Sequence, residues 1–275
     1  MLSYKKPKVT LLQESGLGVA EIAARTCYDS FENSENDCIR NYKEDFDRDA
    51  INSIEDSELL ANLAWVHHHH SILEHATLSF LVEGISRGVL QEHARHRIQA
   101  ISCRSTRYTM SSVLNAFAAS MKCTNELVFF INKIMELDMF VVDEEEYLFL
   151  EIECLFNKLK YHRHKYEEDS DFLKEIIAAS SLGYMDELGD NPEALYQALQ
   201  NGKRKRNVGD KFKHIVTDNW KVDMVVTFNI RSLKNYFDLR DSGAAWFQIQ
   251  WLAQAIKEAT PMKYLKLIDK KYKDI

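Results

Sequence analysis

Apolar and polar positions change period several times along the chain, and each change marks an element. Lys8–Leu12 reads as a short strand, and Gly18–Tyr28 switches to helical spacing with Val19, Ile22 and Ala23 on the face expected to meet a core. Residues 31–53 are polar and weakly patterned, which predicts a loop with some local helix. Asp56 or Ser57 is placed to cap a helix running to the histidine cluster. His75–Val82 is strand-like, and Ser86–Ile98 returns to helical spacing with Ser86 as its N-cap. From Glu126 to Tyr161 the pattern is strongly helical. Leu148, Ile152, Leu155, Phe156 and Leu159 form a core-facing stripe there, with a break at Asp143–Glu146. Helical spacing recurs near 172–187 and 193–201, Val222–Phe228 alternates like a strand, and the last forty residues are again helical. Strands and helices mix without a βαβ repeat, which predicts an α+β fold.

Composition narrows the picture. Only 9 Gly and 3 Pro in 275 residues favour long helices over a many-turned β-sandwich. A chain that is 45% hydrophobic and 28% charged has the make-up of a globular protein with a real core. The net charge of -7 disfavours a general nucleic-acid or membrane-surface binder. No stretch approaches the roughly 20 apolar residues of a membrane span, and the first residues lack the apolar core of a secretion signal. Cys27, Cys38, Cys103, Cys123 and Cys154 are scattered without a C-x-x-C pair, as reduced cytosolic thiols are, so the expected location is the cytoplasm. The run Lys203–Arg206 reads as a solvated loop.

Three segments concentrate chemistry: His67–His75 (HHHHSILEH), Glu92–Tyr108 (EHARHRIQAISCRSTRY) and Asn229–Arg240 (NIRSLKNYFDLR). In the second, Arg95, His96, Arg97, Arg104 and Arg107 are interleaved with Ser102, Ser105 and Thr106. Guanidinium forks and hydroxyls are what a phosphate monoester and a uracil edge require. On a helix over 86–98, Glu92, Arg95 and His96 would share one face; the plain alternative is an Arg-rich helix paired with acidic neighbours. In the third, Arg231, Asn235 and Leu239 fall on one helix face. Asn229 ends a predicted strand at a turn whose donors suit an anionic or heteroaromatic ligand. The histidines suggest a metal through His70 and Glu74 at i, i+4. With Ser71 and Glu74 where a zincin needs Glu and His, however, no H-E-x-x-H exists, and no metal is expected.

Together the three segments resemble the flavin-dependent thymidylate synthases. That family's signature, R-H-R, seven residues, then S, continuing to R-Y, stands here as Arg95-His96-Arg97, then Ser105-Thr106-Arg107-Tyr108. Its H-x-[ST]-x-x-E-H element is matched by His69, Ser71, Glu74 and His75. Its N-x-R-S-x-x-N-x-x-x-L-R element is matched by Asn229, Arg231, Ser232, Asn235, Leu239 and Arg240. The resemblance implies one domain over 1–275, helix-rich with a central, mostly antiparallel sheet. The implied activity is reductive methylation of dUMP to dTMP, with 5,10-methylenetetrahydrofolate as carbon donor and NADPH as reductant through FAD. It implies that His69, Ser71, Glu74, Arg95, His96, Arg97, Asn229, Arg231 and Asn235 contact FAD. It further implies that Glu92, Arg95, Arg104, Ser105, Thr106, Arg107, Lys213 and Arg240 hold dUMP, Lys213 replacing a usual Arg. Arg240 would face the uracil N3–O2 edge, favour its ionised form and so activate C5. The resemblance also implies a homotetramer with shared active sites.

The chain departs from the pattern in places. Cys103 stands where many members have a Glu, no His follows Arg240 in Asp241-Ser242-Gly243-Ala244, and Glu92 replaces a common Gln. Two other readings compete. Cys103 as a nucleophile would suit the unrelated cysteine-dependent thymidylate synthases, but no further motif supports it. The Arg/Tyr-rich segment as a single-strand nucleic-acid platform is opposed by the acidic total. Absence of G-x-G-x-x-G excludes only the Rossmann mode of binding FAD.

Overall fold

The three segments read as strands from the sequence are joined by a fourth, Ala100–Cys103, which the pattern did not reveal, in one four-stranded sheet. In the computed structural model, which describes residues 2–121, 123–168 and 212–274, the strands are β1 (Lys8–Glu14), β2 (Thr77–Ser86), β3 (Ala100–Cys103) and β4 (Lys221–Asn229), in the order β1-β2-β4-β3. β1 runs antiparallel to β2 from Lys8↔Glu83 to Glu14↔Leu78, with a register shift between Leu11 and Gln13. β3 runs antiparallel to β4 from Ala100↔Thr227 to Cys103↔Met224. Ser79 Oγ meets Thr227 Oγ1 at 2.8 Å, and the Gly84 amide donates to Asp223 Oδ1 at 2.9 Å, so β2 and β4 also run in opposite directions. Leu78, Phe80 and Val82 of β2 and Val222, Met224, Val226 and Phe228 of β4 are all buried, as alternation toward one covered face requires.

Among the described residues the first helices are α1 (Gly18–Tyr28), α2 (Asp37–Arg40), α3 (Arg48–Asn52), α4 (Glu58–Trp65) and α5 (Arg87–His93). They are followed by α6 (Thr106–Ser120), α7 (Glu126–Glu136) and α8 (Glu145–Glu168). After β4 come α9 (Ile230–Arg240), α10 (Phe247–Ala259) and α11 (Met262–Ile268). The chain divides into two units, Lys6–Cys103 with Asp223–Ile275, which holds the sheet, and Met1–Lys5 with Arg104–Val222.

In the sheet unit, α10 packs on β1 and against α5 and α9. Two helix starts follow the sequence expectation: Ser57 Oγ accepts from the Leu60 amide, and Ser86 Oγ accepts from the Val89 amide at 3.1 Å. Gly16, at φ 78°, makes the turn after β1. A Cβ there would lie 2.6 Å from the Asn52 carbonyl oxygen, and its amide donates to Tyr264 Oη at 3.0 Å.

α1 has the expected bounds but buries a different face. Val19 is exposed, whereas Ala20, Glu21, Ala24 and Arg25 turn inward. The inward charges satisfy each other. Glu21 accepts from Arg25, from Ser34 Oγ at 2.6 Å and from Asn36 Nδ2 at 3.1 Å. An apolar stripe search cannot see a face closed by an ion pair.

The other unit is helical. Met110, Val113 and Phe117 of α6, Phe130, Ile131 and Ile134 of α7, and Leu148, Ile152, Leu155, Phe156 and Leu159 of α8 share one core with Trp220. Phe117, Phe130 and Phe156 meet in pairs at 5.3–6.0 Å. The α8 stripe is buried as its spacing predicts, and the break before it spans 137–144. There Tyr4 bridges Val142 and Phe140 bridges Trp220. The helical readings near 172–187 and 193–201 and the run Lys203–Arg206 lie outside the described residues.

Candidate active site

The side chains that converge in the sheet unit are placed by the two ends of α9, by the end of α5 and by the 3-10 segment His70–His75. Asn229 is the last residue of β4 and the N-cap of α9, its Oδ1 accepting from the Ser232 amide at 2.7 Å. That leaves the Asn229 Nδ2 protons for other acceptors. The Ile230 amide donates to the Ala76 carbonyl at 2.9 Å, tying the start of α9 to the entry of β2. A 3-10 helix, His70–His75, precedes that point and carries Glu74, whose Oε1 accepts from Arg231 Nη1 at 2.5 Å. Both partners of this ion pair are half exposed, so it orients more than it stabilises.

At the other end of α9, Arg240 is the convergence point. Its Nε donates to His96 Nε2 at 2.9 Å and its Nη1 to Glu92 Oε2 at 3.0 Å. A guanidinium has five N–H groups, and only these two bonds are made among the described residues, which leaves three donors on a side chain 19% exposed. His96 must accept at Nε2, so its proton sits on Nδ1. Burial first, and the adjacent Arg240 charge second, lower its pKa, keeping the ring neutral.

An aromatic bed lies beneath. His96 meets the Tyr236 ring edge-on at 4.7 Å, and Tyr236 meets Phe228 at 5.3 Å. A hydrogen bond of 3.1 Å joins the Tyr236 hydroxyl and His93 Nδ1. His93 is fully buried, and desolvation, with smaller contributions from His96 and Arg240, pushes its pKa down to about 3 while the Gln99 amide beside it offsets part of this. Burial raises the Tyr236 hydroxyl well above the usual phenol range. His93 Nε2 and Gln99 Oε1 have no hydrogen-bond partner among the described residues.

Sequence spacing placed Glu92, Arg95 and His96 on one helix, and the structure corrects this. α5 ends at His93, the Arg95 and His96 amides turning back to the Glu92 and His93 carbonyls, and Gln99 Nε2 donates to the His93 carbonyl at 2.9 Å. The side-chain cap stops the helix. Glu92 and His96 still meet, through Arg240, while Arg95 and Arg97 are exposed on the turn and have no ion-pair partner among the described residues. Two unpaired guanidinium groups on an acidic chain suit an anionic ligand, so the residues present fit the pyrophosphate of a dinucleotide cofactor.

The histidine cluster is less organised for chemistry than its density suggests. His70 Nε2 lies 3.0 Å from the Ala64 carbonyl, which gives it a packing role. Because 70–75 is 3-10 rather than α-helical, His70 and Glu74 do not share a face. His69 and Ser71 are exposed, as is Asn235 on α9. In the helical unit, Arg104 and Ser105 follow β3, Thr106 opens α6 and is buried, and Lys213, itself exposed, opens a 3-10 turn. Arg107 belongs to α6, and its side chain lies outside the described ones.

His93, Tyr236 and Gln99 were not singled out by sequence. One signal existed: Tyr236 stands four residues before Arg240 and His93 three before His96, so each lies one turn beneath a singled-out residue.

Comparison with known proteins gives a consistent neighbourhood. The family model described as thymidylate synthase complementing protein matches residues 10–262. The flavin-dependent thymidylate synthase of Wolinella succinogenes is 28% identical over 256 residues, 93% of this chain and 94% of that protein. That of Campylobacter jejuni strain RM1221 is 29% identical over 260 residues, 94% and 93%. A crystal structure of thymidylate synthase X from Helicobacter pylori with FAD and dUMP superposes with a TM-score of 0.59 at 24% identity, covering 97% of this chain and 99% of that one. The last likeness speaks to the fold.

Proposed function

The chain belongs to the thymidylate synthase complementing proteins, the flavin-dependent thymidylate synthases, and from that premise we propose how its residues carry out the reductive methylation of dUMP to dTMP. The carbon comes from 5,10-methylenetetrahydrofolate and the reducing equivalents from NADPH, with tetrahydrofolate released. FAD, when bound, relays those equivalents to the carbon added at C5.

Arg95 and Arg97, exposed and without an ion-pair partner among the described residues, would neutralise the cofactor's pyrophosphate. His69, Ser71, Glu74, His96, Asn229, Arg231 and Asn235 complete the flavin contacts, Asn229 offering the amide protons its cap leaves over and Glu74 orienting Arg231. Glu92, Arg95, Arg104, Ser105, Thr106, Arg107 and Lys213 hold dUMP. Arg240 presents its remaining donors to the uracil N3–O2 edge and favours the anion, which raises electron density at C5. The observation that carries this reading is the fixing of Arg240 by neutral His96 and by Glu92, which orients a bidentate cation in advance of substrate.

Purified protein, or protein given FAD, is expected to show flavin absorbance bands, and Arg95→Ala with Arg97→Ala should weaken uptake at least about tenfold. No uptake in large FAD excess would refute the reading.

The family match runs through both units, which supports treating 1–275 as one domain. In this reading the enzyme is cytoplasmic and a homotetramer whose sites draw on several subunits. Mixing inactive Arg95→Ala with inactive Arg240→Ala protein, with subunit exchange allowed, should restore part of the activity if those two residues serve one site from different chains. A fully active monomer by light scattering would refute the assembly.

A further inference from the structure

Tyr236 stands one turn before Arg240 on α9 and is fully buried, so it has no surface of its own to offer a ligand. Its hydroxyl nevertheless has a partner. Among the described residues it bonds only to His93 Nδ1, at 3.1 Å, and His93 is as deeply buried as Tyr236. A phenylalanine would fill the same place without the cost of desolvating a hydroxyl. The direction of the bond follows from the acceptors around the imidazole. Neutral His93 carries one ring proton. Gln99 Oε1, on the amide beside the ring, can only accept, and both it and His93 Nε2 are without a hydrogen-bond partner among the described residues. A proton on Nε2 sets a donor beside that acceptor, whereas a proton on Nδ1 would leave two acceptors side by side. Nε2 therefore carries the proton, Nδ1 accepts, and the Tyr236 O–H donates.

From Tyr236 the contacts lead to the guanidinium. His96 leans edge-on against Tyr236 at 4.7 Å and holds Arg240 Nε at 2.9 Å through its own Nε2. Phe228 packs on Tyr236 at 5.3 Å and on His93 at 5.8 Å, so the bed is apolar apart from this one hydrogen bond. Ring contacts alone leave a phenol free to slide and tilt, whereas a buried hydrogen bond fixes its far end. A tilt of the Tyr236 ring would pass to His96, and a bond from a guanidinium to a ring nitrogen is sensitive to such a tilt. We propose that Tyr236 and His93 are positioning residues for the methylation of dUMP: the bond from the Tyr236 hydroxyl to His93 fixes the ring that braces His96, and His96 in turn aims Arg240 at the base. Both roles rest on Arg240 meeting the uracil, as proposed above.

Steady-state kinetics on the FAD-loaded enzyme test it, each variant assayed well below its own melting transition. Tyr236→Phe removes the hydroxyl and keeps the ring. It should lower kcat about tenfold, because a misaimed guanidinium loses what it contributes as charge develops on the base. KM for dUMP should stay within about threefold and the flavin absorbance should be unchanged. In an Arg240→Ala background the same substitution should change turnover less than about twofold, since its effect passes through Arg240. His93 gives a second, independent reading. His93→Leu fills the space but accepts nothing, and should lower kcat as Tyr236→Phe does. His93→Asn keeps an acceptor for the Tyr236 hydroxyl in a smaller side chain, and should lose less than His93→Leu. If Tyr236→Phe does not fold, the two His93 variants decide. Undiminished kcat in Tyr236→Phe, a full effect of Tyr236→Phe without Arg240, or turnover in His93→Leu equal to or above that in His93→Asn would overturn the proposal. Near-normal turnover in Arg240→Ala would overturn the reading of Arg240 beneath it, and the positioning roles with it.

Discussion

Replacing Arg240 by alanine is expected to lower kcat/KM for dUMP by about 10³-fold or more while FAD remains bound, because the side chain meets the reacting base rather than the cofactor. The size follows from what is lost. A donor fork held at 2.9 Å by His96 and 3.0 Å by Glu92 needs no reorganisation when negative charge develops on the uracil ring. Arg240→Lys should recover less than about a tenth of the loss, since an ammonium cannot serve His96, Glu92 and two ring atoms together. Steady-state kinetics with a flavin absorbance control separate this from a folding defect. Near-normal turnover in the alanine variant would remove Arg240 from the chemistry.

Acid is expected to weaken the same site from below. His93 is buried and its pKa is about 3, against about 6.5 in an unfolded chain. The sign follows directly: below pH 6.5 the unfolded chain takes up a proton that the folded chain refuses. The stability due to neutral His93 is therefore complete above pH 6.5 and lost progressively as pH falls toward 3. By pH 4.5 the loss should reach roughly 2–3 kcal/mol. Urea denaturation at a series of pH values should show this slope in the native sequence and a shallower one in His93→Gln, which has no ring to titrate. Equal slopes, or an NMR titration showing every imidazole protonating near pH 6.5, would contradict it. Because Tyr236 lies between His93 and His96, protonating His93 would also disturb the bed on which Arg240 rests.

What was legible in the sequence divides by range. Local signals succeeded: Ser57 and Ser86 cap helices where their positions say they should, Asn229 ends β4 just before α9, and the bounds of α1 and the buried stripe of α8 follow from periodicity. Long-range pairing was not legible. The end of α5 at His93 is set by Gln99 reaching back to a carbonyl, and the inward face of α1 by Glu21 meeting Arg25, Ser34 and Asn36. Both are polar closures that an apolar pattern counts as surface. The meeting of Arg240 with Glu92 and His96 joins residues 148 and 144 apart, so spacing alone could not place it. The family motifs carry His96 and Arg240, and the resemblance nominated Glu92 beside them. The bed of His93, Tyr236 and Phe228 that supports them is assembled by packing, with only the spacing of Tyr236 before Arg240 and His93 before His96 to hint at it.

The most direct test of the central claim is tritium release from 5-tritiated dUMP by the purified protein with FAD, methylenetetrahydrofolate and NADPH. The account predicts release together with dTMP formation, dependent on FAD, folate and NADPH alike, and retained in a Cys103→Ser variant. Turnover that needs no flavin and vanishes in Cys103→Ser would contradict it, as would no turnover from a protein saturated with FAD.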